Sequence, residues 1–156
     1  MAEKTNVCRI LDQKKIPYKL HDYSNTDAVS GLDVARVLNE EADCVFKTLV
    51  TVAKSGQHYV FCIPVSTELD LKNAAKAVGE KSVEMIKQKE LLPLTGYVHG
   101  GCSPVGMKKQ FVTTIDESVI LYDTIFLSAG KIGFQIEIAP DELKKAVDYA
   151  TANIAY

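Results

Sequence analysis

Apolar residues repeat with two periods along this 156-residue chain, and the two periods predict different elements. Where apolar positions fall three or four residues apart, we expect an amphipathic helix. This spacing predicts helices in five segments: residues 5–14, 30–38, 70–79, 82–90 and 140–150. Where apolar and polar residues alternate, or where β-branched residues cluster, we expect a strand. Such patterns predict strands over residues 18–23, 45–53, 58–65, 110–115, 120–128 and 133–138.

Residues with strong local preferences mark several of these boundaries. Ser30 and Asp70 are placed to accept hydrogen bonds at the N-termini of their helices. Gly79 suits the left-handed turn that ends a helix, and residues 54–57 are typical of a hairpin loop. Because strands outnumber long helices and cluster along the chain, we expect one α+β domain over residues 1–156, with a mixed, strongly curved sheet flanked by helices. A doubly wound α/β fold is the alternative.

Composition and charge exclude several classes of protein. Apolar residues make up 47% of the chain and charged residues 24%, which is enough apolar material for one folded core. The net charge of −2 argues against a protein that relies on nonspecific contacts with many phosphates, so any contact with RNA is expected to be local. No apolar run is long enough to span a bilayer, and the N-terminus lacks an apolar signal region. We therefore expect a cytoplasmic location and no membrane partner.

The cysteines and histidines form no recognisable metal or catalytic motif. The four cysteines and three histidines are scattered, and no CxxC pair is present. A structural zinc site normally shows a close pair of ligands, so we expect reduced thiols and neither a metal nor a cofactor. Cys102 or Ser103 could act as a nucleophile only with a positioned base, for which His99 is the nearby candidate. Because a Gly-x-Ser-x-Gly elbow is absent, this is the weakest hydrolase interpretation.

One lysine interrupts the most apolar predicted strand. In residues 45–53, alternation places Phe46 and Val50 on one face and Lys47 and Leu49 on the other. Both faces are largely apolar, which indicates a strand covered on both sides. Removing an ammonium group from water costs several kcal/mol, so the lysine needs an explanation. Its amine could reach solvent at the end of the sheet, pair with a structural carboxylate, or line a pocket and meet an anionic or carbonyl group of a substrate.

A glycine-rich bend is the second chemically distinctive segment. Residues 100–104 read Gly-Gly-Cys-Ser-Pro, in which the glycines permit a sharp turn and Pro104 fixes one φ angle. The bare backbone would let a ligand approach closely, and its N–H groups could bind a phosphate or a carbonyl oxygen. The same residues also suit an ordinary tight connection between strands. The motif alone does not separate these two interpretations.

Four segments occur together in an order that resembles a known family. They are residues 46–49 (Phe-Lys-Thr-Leu), 68–72, 96–109 and 128–133. In this order and spacing they resemble the YbaK-like Cys-tRNA(Pro) deacylases, which are related to the editing domain inserted in bacterial prolyl-tRNA synthetase. The resemblance covers nearly the whole chain.

The resemblance implies a compact α+β domain with a partly barrel-like sheet and the activity of a trans-editing hydrolase. Such an enzyme cleaves the ester between a mischarged amino acid and the terminal adenosine at the 3′ end of tRNA. Lys47 matches the residue on which activity most depends, and it is implied to supply positive charge in the substrate pocket. The residues that match other parts of this pocket are Tyr23, Thr48, Gly100, Gly101 and Ser128.

The resemblance also implies a mechanism and a partner. In the Cys-specific members of the family, the thiol of the substrate attacks its own ester carbonyl, so no protein nucleophile is needed. The task left to the enzyme is orientation and charge stabilisation, both of which can give large rate effects. Prolyl-tRNA synthetase is the implied partner, in a transient complex that lends affinity for tRNA.

Two positions depart from the family pattern. Gln135 stands where an acidic pocket residue is usual, and Ser30 where an aromatic one is usual. Losing the carboxylate weakens the grip on the α-ammonium group of the substrate, and losing the ring changes the shape or polarity of the pocket. The resemblance makes Cys-tRNA(Pro) the first substrate to test, and these two departures make another mischarged tRNA such as Ala-tRNA the alternative. A noncatalytic module that binds a nucleotide or an aminoacyl group is the hypothesis from a different class.

Overall fold

The computed structural model describes residues 4–156. The first three residues of the predicted domain lie outside this range, and so does the start of the N-terminal segment that we expect to lack a signal region. Five α-helices are described: α1 (Asn6–Gln13), α2 (Gly31–Val37), α3 (Leu71–Ala77), α4 (Gln88–Thr95) and α5 (Pro140–Ala146). Eight strands accompany them: β1 (Lys19–Asp22), β2 (Phe46–Ala53), β3 (His58–Pro64), β4 (Val83–Met85), β5 (Val112–Asp116), β6 (Ile125–Ser128), β7 (Phe134–Ile138) and β8 (Tyr149–Ala152). Within this range no helix has the length and apolar character needed to cross a bilayer.

The strands form two sheets. The larger has the order β4-β2-β3-β5-β8, antiparallel across β4-β2-β3 and parallel across β3-β5-β8. The smaller, β1-β7-β6, is antiparallel throughout. Val45, directly before β2, makes a parallel bridge with Phe126 of β6 and so links the two sheets. This mixture confirms the α+β class and excludes the doubly wound fold, whose single sheet is mainly parallel with helices on both faces.

The expectation of one strongly curved, partly barrel-like sheet is wrong. The larger sheet ends at β4 and β8, and the smaller ends at β1 and β6. A barrel requires the first and last strands of a sheet to pair, and neither sheet does so in the part of the chain described. Closure depends on pairing between distant strands, which no single sequence motif encodes.

Capping interactions begin two helices, and end one of them, where the sequence predicts. The Asp33 N–H donates to Ser30 Oγ at 3.2 Å at the start of α2. The Asn73 N–H donates to Asp70 Oδ1 at 3.0 Å at the start of α3. Gly79 follows α3 in the left-handed region, with a φ of +74°. Each N-cap side chain satisfies an N–H group that has no partner inside the helix, and is worth about 1 kcal/mol.

Two segments predicted as helices contain strands. Residues 82–90 begin with β4, because residues 83–85 pair with the end of β2, and α4 starts only at Gln88. Residues 140–150 form α5 only as far as Ala146, after which β8 pairs in parallel with β5. In both cases a neighbouring strand supplies hydrogen bonds that outweigh the local helical pattern.

The segment predicted as a strand over residues 120–128 is shorter than expected. A 3₁₀ helix occupies Glu117–Leu121, started by an Asp116 carboxylate that accepts a hydrogen bond from the Ser118 N–H at 3.2 Å. Strand β6 therefore begins only at Ile125. Residues 120 and 121 are apolar, which suggested a strand, but they lie exposed in the 3₁₀ helix and no other element of the described chain packs over them.

Strand β2 is covered on both faces, as its apolar alternation predicts. Phe46 and Val50 face the larger core cluster. Leu49 and Ala53 pack on the other side against a second cluster that includes Ile63 of β3. Burying a side chain such as Phe46 or Val50 contributes about 1.5–3 kcal/mol, which holds in place the strand that carries the candidate lysine.

Candidate functional site

A cavity of about 350 Å³ opens where the two sheets meet. Its walls come from the start of β2, the first turn of α2, the bend after α4 and the adjoining ends of β6 and β7. The bridge between Val45 and Phe126 sets this meeting point. Lys47 and Ser128 each lie two residues beyond the bridge, and so on the same face as the bridged residues. The volume falls within the range of about 300–1,000 Å³ typical of small-molecule sites.

The cavity gathers most of the residues that the sequence singled out. Six of the eight predicted site residues line it: Ser30, Lys47, Thr48, Gly100, Ser128 and Gln135. Much of the remaining wall is apolar and includes Val29, Leu32, Phe46, Leu49, Leu91 and Leu127. A few polar groups in a largely apolar wall are what fixes the orientation of a small ligand.

The Lys47 side chain is half-buried and lines this cavity. Its ammonium makes neither a hydrogen bond nor a salt bridge with any other part of the described chain. Pairing with a structural carboxylate, one of the three possibilities left open by the sequence, is therefore not the arrangement observed. A cation without a partner in a partly apolar wall favours an anion or a polarised carbonyl oxygen beside it.

The bend next to the cavity uses its two glycines differently. Gly100 lines the cavity with a φ of +89°, and a Cβ there would lie 2.8 Å from Val29 Cγ1. Gly101 is outside the lining, and its N–H donates to the Val98 carbonyl at 3.0 Å. A Cβ on Gly101 would lie 3.1 Å from the Ile132 nitrogen. The second glycine thus lets the bend pack against the β6–β7 connection, whereas the first presents its backbone to the cavity.

Ser128 and Gln135 lie opposite each other in the β6–β7 pair and share one face. The Gly130 N–H donates to Ser128 Oγ at 3.1 Å, which leaves the serine O–H available as a donor. Gln135 Nε2 donates to Glu40 Oε1 at 3.0 Å, whereas Gln135 Oε1 is buried without a hydrogen-bond partner in the described chain. This wall therefore carries one hydroxyl that can donate and one buried amide oxygen that has no donor in the described chain.

A polar cluster lies behind the wall that the β6–β7 pair forms. Burial raises the pKa of the Glu40 carboxyl, and its hydrogen bond with Gln135 opposes that rise. His21 Nε2 lies 2.9 Å from Glu137 Oε1, and this contact holds the pKa of Glu137 below its usual value. Thr124 Oγ1 donates to the other oxygen of Glu137 at 3.0 Å. Each of these carboxylates thus has a partner that keeps it fixed.

Ser30 and Thr48 line the cavity with hydroxyl groups that are already engaged. Ser30 is exposed, and its Oγ accepts the capping hydrogen bond at the start of α2. Thr48 Oγ1 lies 3.7 Å from Cys62 Sγ in the neighbouring strand. Both hydroxyls therefore serve local structure as well as lining the cavity.

Tyr23 is placed outside the lining. It is only 3% exposed and packs in a small cluster with Ala28 and Val34. Burial raises the pKa of its phenol. Val34 itself lines the cavity, so the tyrosine is connected to the cavity through that side chain.

Sequence comparison identifies the domain that carries this cavity. The family model described as the aminoacyl-tRNA editing domain matches residues 26–146. The chain belongs to the aminoacyl-tRNA editing domain family. The matched range includes every residue that lines the cavity. The family resemblance carried by four sequence segments is thereby confirmed.

Other proteins share the sequence or the fold of this editing domain. A protein of Enterococcus faecalis named "Putative Cys-tRNA(Pro)/Cys-tRNA(Cys) deacylase EbsC" is 48% identical over 142 residues, which cover 90% of this chain and 87% of that protein. A crystal structure described as a "putative trans-editing enzyme for prolyl tRNA synthetase" superposes with a TM-score of 0.82 at 21% identity and 99% coverage of both chains. The "hypothetical protein APE2540" superposes with a TM-score of 0.89 at 21% identity, covering 97% of this chain and 100% of its own. At this identity the two structures establish the editing-domain fold alone.

Cys102 and His99 also line the cavity of this editing domain. Burial raises the pKa of the Cys102 thiol to about 12, so it is protonated at neutral pH and a poor nucleophile. His99 is exposed, directly before Gly100 in the chain. Its position beside the bend is the sequence signal that could have placed it at the cavity. Within residues 4–156 no cluster of three His, Cys, Asp or Glu side chains could hold a metal ion.

Sequence reasoning missed Leu91 and Glu40 altogether. Leu91 belongs to α4, which lies mostly beyond the segment predicted as a helix over residues 82–90. Glu40 follows α2 and resembles any polar residue after a helix. No local pattern reveals that it meets Gln135, 95 positions away.

Proposed function

We propose that this protein is a trans-editing aminoacyl-tRNA deacylase that removes a mischarged amino acid, with Cys-tRNA(Pro) as its first substrate. The observation that carries the proposal is the unpaired ammonium of Lys47 in a cavity that also presents the backbone of Gly100. Membership of the editing-domain family supports it, as does the 48% identity to a protein named as a Cys-tRNA deacylase. The 156 residues act as one editing domain.

The charge distribution of the cavity suits an aminoacyl ester. Such an ester has an α-ammonium group at one end and a carbonyl oxygen and nearby ribose and phosphate oxygens at the other. The Lys47 side of the cavity favours the oxygens, and the unpartnered Gln135 Oε1 favours a donor. Opposite preferences on two walls orient the substrate without a large interface, which agrees with a net charge of only −2.

Each remaining predicted residue receives a role that its contacts permit. Gly100 has an N–H with no acceptor in the described residues, so it supports the developing oxyanion together with Lys47. Ser128 donates its O–H to the ester or to ribose. Gly101 shapes the bend, because its own N–H is bonded to Val98. Thr48, Ser30 and, through Val34, Tyr23 shape the amino-acid end of the cavity.

The reaction uses the thiol of the substrate as the nucleophile. The cysteine sulfur attacks the ester carbonyl carbon, and Lys47 stabilises the negative charge that develops on the carbonyl oxygen. The bond to the ribose oxygen breaks, and the thiol proton passes to that oxygen, which leaves free tRNA and a cysteine β-thiolactone. Water then opens the thiolactone to cysteine. The protonated thiol of Cys102 agrees with a site that uses no cysteine nucleophile of its own.

The proposed substrate sets the location and the partner. Charged tRNA is used in the cytoplasm, so the protein acts there. Because its net charge is slightly negative, it gains affinity for tRNA from a transient complex with prolyl-tRNA synthetase.

The test uses tRNA(Pro) charged separately with Cys, Ala, Ser and Pro as substrates. The release of free tRNA(Pro) is measured from each, with and without the synthetase. We expect the fastest release from Cys-tRNA(Pro), and a lower KM when the synthetase is present. Fastest release from Ala-tRNA(Pro) would move the specificity to another small amino acid and keep the deacylase activity. Binding of all four substrates without release above the uncatalysed rate would instead identify a noncatalytic module.

The thiol-assisted step has its own test. S-methylcysteine and serine esters keep the α-ammonium group and nearly the same size, but they lack a free thiol. We expect both to be released at close to the uncatalysed rate, while Cys-tRNA(Pro) is cleaved. Equal release of S-methylcysteine would show that water attacks the ester directly.

A further inference from the structure

Among the carboxylates of residues 4–156, Glu40 is the one bonded to a residue of the cavity wall, and no role follows for it from the reaction described above. Its backbone is fixed by the turn that ends α2. The Glu40 N–H donates to the Ala35 carbonyl at 2.8 Å, and the Asn39 N–H donates to the Arg36 carbonyl at 3.2 Å. Asn39 has a φ of +56°, which completes a Schellman motif. These contacts fix the backbone at Glu40 without any contribution from a substrate.

The side chain of Gln135 can face Glu40 in only one way. An ionised carboxylate has no hydrogen to donate, so the amide must turn its NH₂ group towards Glu40. The observed contact has this geometry, with Nε2 at 3.0 Å from Glu40 Oε1. The amide oxygen must then point away from the carboxylate. It is buried and unpartnered, in a side chain that is 3% exposed and that lines the cavity.

We propose that Glu40 is a positioning residue that locks the Gln135 amide with its oxygen as the acceptor for the α-ammonium group of the bound amino acid. The inference rests on the proposed deacylase function and adds to it the residue that fixes the orientation of the Gln135 amide. A buried acceptor without a partner is costly, and a cationic donor relieves that cost best. The negative charge behind the amide polarises it further in the same direction.

The other charged groups near Glu40 agree with this direction. His21 and Glu137 are the ionisable groups that act on Glu40. They are bonded to each other at 2.9 Å, so they compete little for Gln135. Lys47 on the other wall repels an ammonium group, which leaves the Gln135 side as the place for it.

The experiment compares Cys-tRNA(Pro) with 3-mercaptopropionyl-tRNA(Pro), which keeps the thiol and the ester but lacks the amino group. We expect the wild-type protein to prefer the cysteine ester about tenfold in kcat/KM. In Glu40→Gln, either end of the Gln135 amide can face residue 40, so the preference should fall to within about twofold, through KM rather than kcat. Glu41→Gln, an exposed neighbour, is the matched control and should keep the wild-type preference.

A second variant covers the possibility that loss of Glu40 disturbs the fold. In Gln135→Glu, two carboxylates would lie about 3 Å apart, and we expect a loss of stability. The exchange Glu40→Gln with Gln135→Glu restores one carboxylate and one amide in contact, with an acceptor still at the cavity. We expect this double variant to recover the preference for the amino group, which a merely structural role of Glu40 would not produce.

The outcomes separate this inference from the proposed function. If Glu40→Gln slows release of both esters equally and keeps their ratio, Glu40 does not position the amide for the ammonium group. A wild-type protein that cleaves both esters equally well leads to the same conclusion. If the wild-type protein cleaves neither ester, the deacylase proposal itself fails, and this inference fails with it.

Discussion

Two walls of the cavity hold their polar groups in contrasting ways. The β2 wall is the start of β2 with Lys47, and the β6–β7 wall is the strand pair with Ser128 and Gln135. On the β2 wall, Lys47 stands as an isolated cation with no partner in residues 4–156. On the β6–β7 wall, Gln135 is held by Glu40 and backed by the pair of His21 and Glu137. One wall carries a full charge without a protein partner in the described residues, and the other holds a single neutral acceptor in a hydrogen-bonded network.

The difference indicates which wall performs the chemistry and which one selects the substrate. An unpaired charge gains most when negative charge develops next to it, which happens in the transition state of ester cleavage. A neutral acceptor held in one orientation distinguishes groups already present in the ground state. We therefore expect changes on the β2 wall to lower kcat and changes on the other wall to raise KM.

The largest effect should come from Lys47→Met, which removes the charge and keeps most of the volume. We expect deacylation of Cys-tRNA(Pro) to slow by about 10²–10³-fold, as when a transition-state donor is lost. The urea midpoint should stay unchanged or rise, because an unpartnered, half-buried ammonium no longer needs hydration. Lys54→Met, at an exposed lysine just after β2, is the control and should leave the rate unaltered. An active Lys47→Met protein would remove the distinction between the walls.

A substitution in the bend tests whether the reaction at Lys47 also needs the backbone of Gly100 close to the substrate. Gly100→Ala places a Cβ 2.8 Å from Val29 Cγ1 at a φ of +89°, and we expect about tenfold slower release with about 1–2 kcal/mol lower stability. Gly56→Ala has nearly the same φ, +90°, with nothing within 4 Å, so it measures the backbone cost alone. Equal rates for these two variants would mean that the shape of the bend is irrelevant to the reaction.

Cys102→Ala tests the alternative in which the Cys102 thiol, and not the thiol of the substrate, is the nucleophile. Because burial holds the thiol pKa near 12, we expect an unchanged rate and a loss of about 1 kcal/mol from the small void. Release kinetics and urea unfolding measure the two quantities. A collapse of the rate with a normal unfolding midpoint would restore Cys102 as a nucleophile.

The smallest effect should come from Glu137→Gln, behind the second wall. The hydrogen bond from His21 lowers the pKa of Glu137 from its ordinary 4.5, so its contribution to stability is present above that value and is lost as the pH falls through the lowered pKa. We expect the variant to be slightly less stable at pH 7 and equal to the wild type at strongly acid pH. Urea unfolding at several pH values measures this, and a difference that grows on acidification would contradict it.

Much of the fold could be predicted from short-range patterns. The alternation in β2, the caps at Ser30 and Asp70 and the hairpin between β2 and β3 depend on residues only a few positions apart. The short-range pattern over residues 82–90 predicted a helix wrongly, because β4 forms through pairing with the distant strand β2. Local propensity decides an element only when no distant partner offers more hydrogen bonds and burial.

The sequence by itself determined that Lys47 stands alone in an apolar strand and that Gly100 permits a sharp bend, since both facts follow from neighbouring residues. Only the tertiary structure decided that these two groups face one cavity, that Gly101 and Tyr23 lie outside its lining, and that Glu40 reaches Gln135. These relations depend on the bridge between Val45 and Phe126, which brings two sheets together. Contacts between residues far apart in the chain depend on the packing of the whole domain, and no local pattern encodes them.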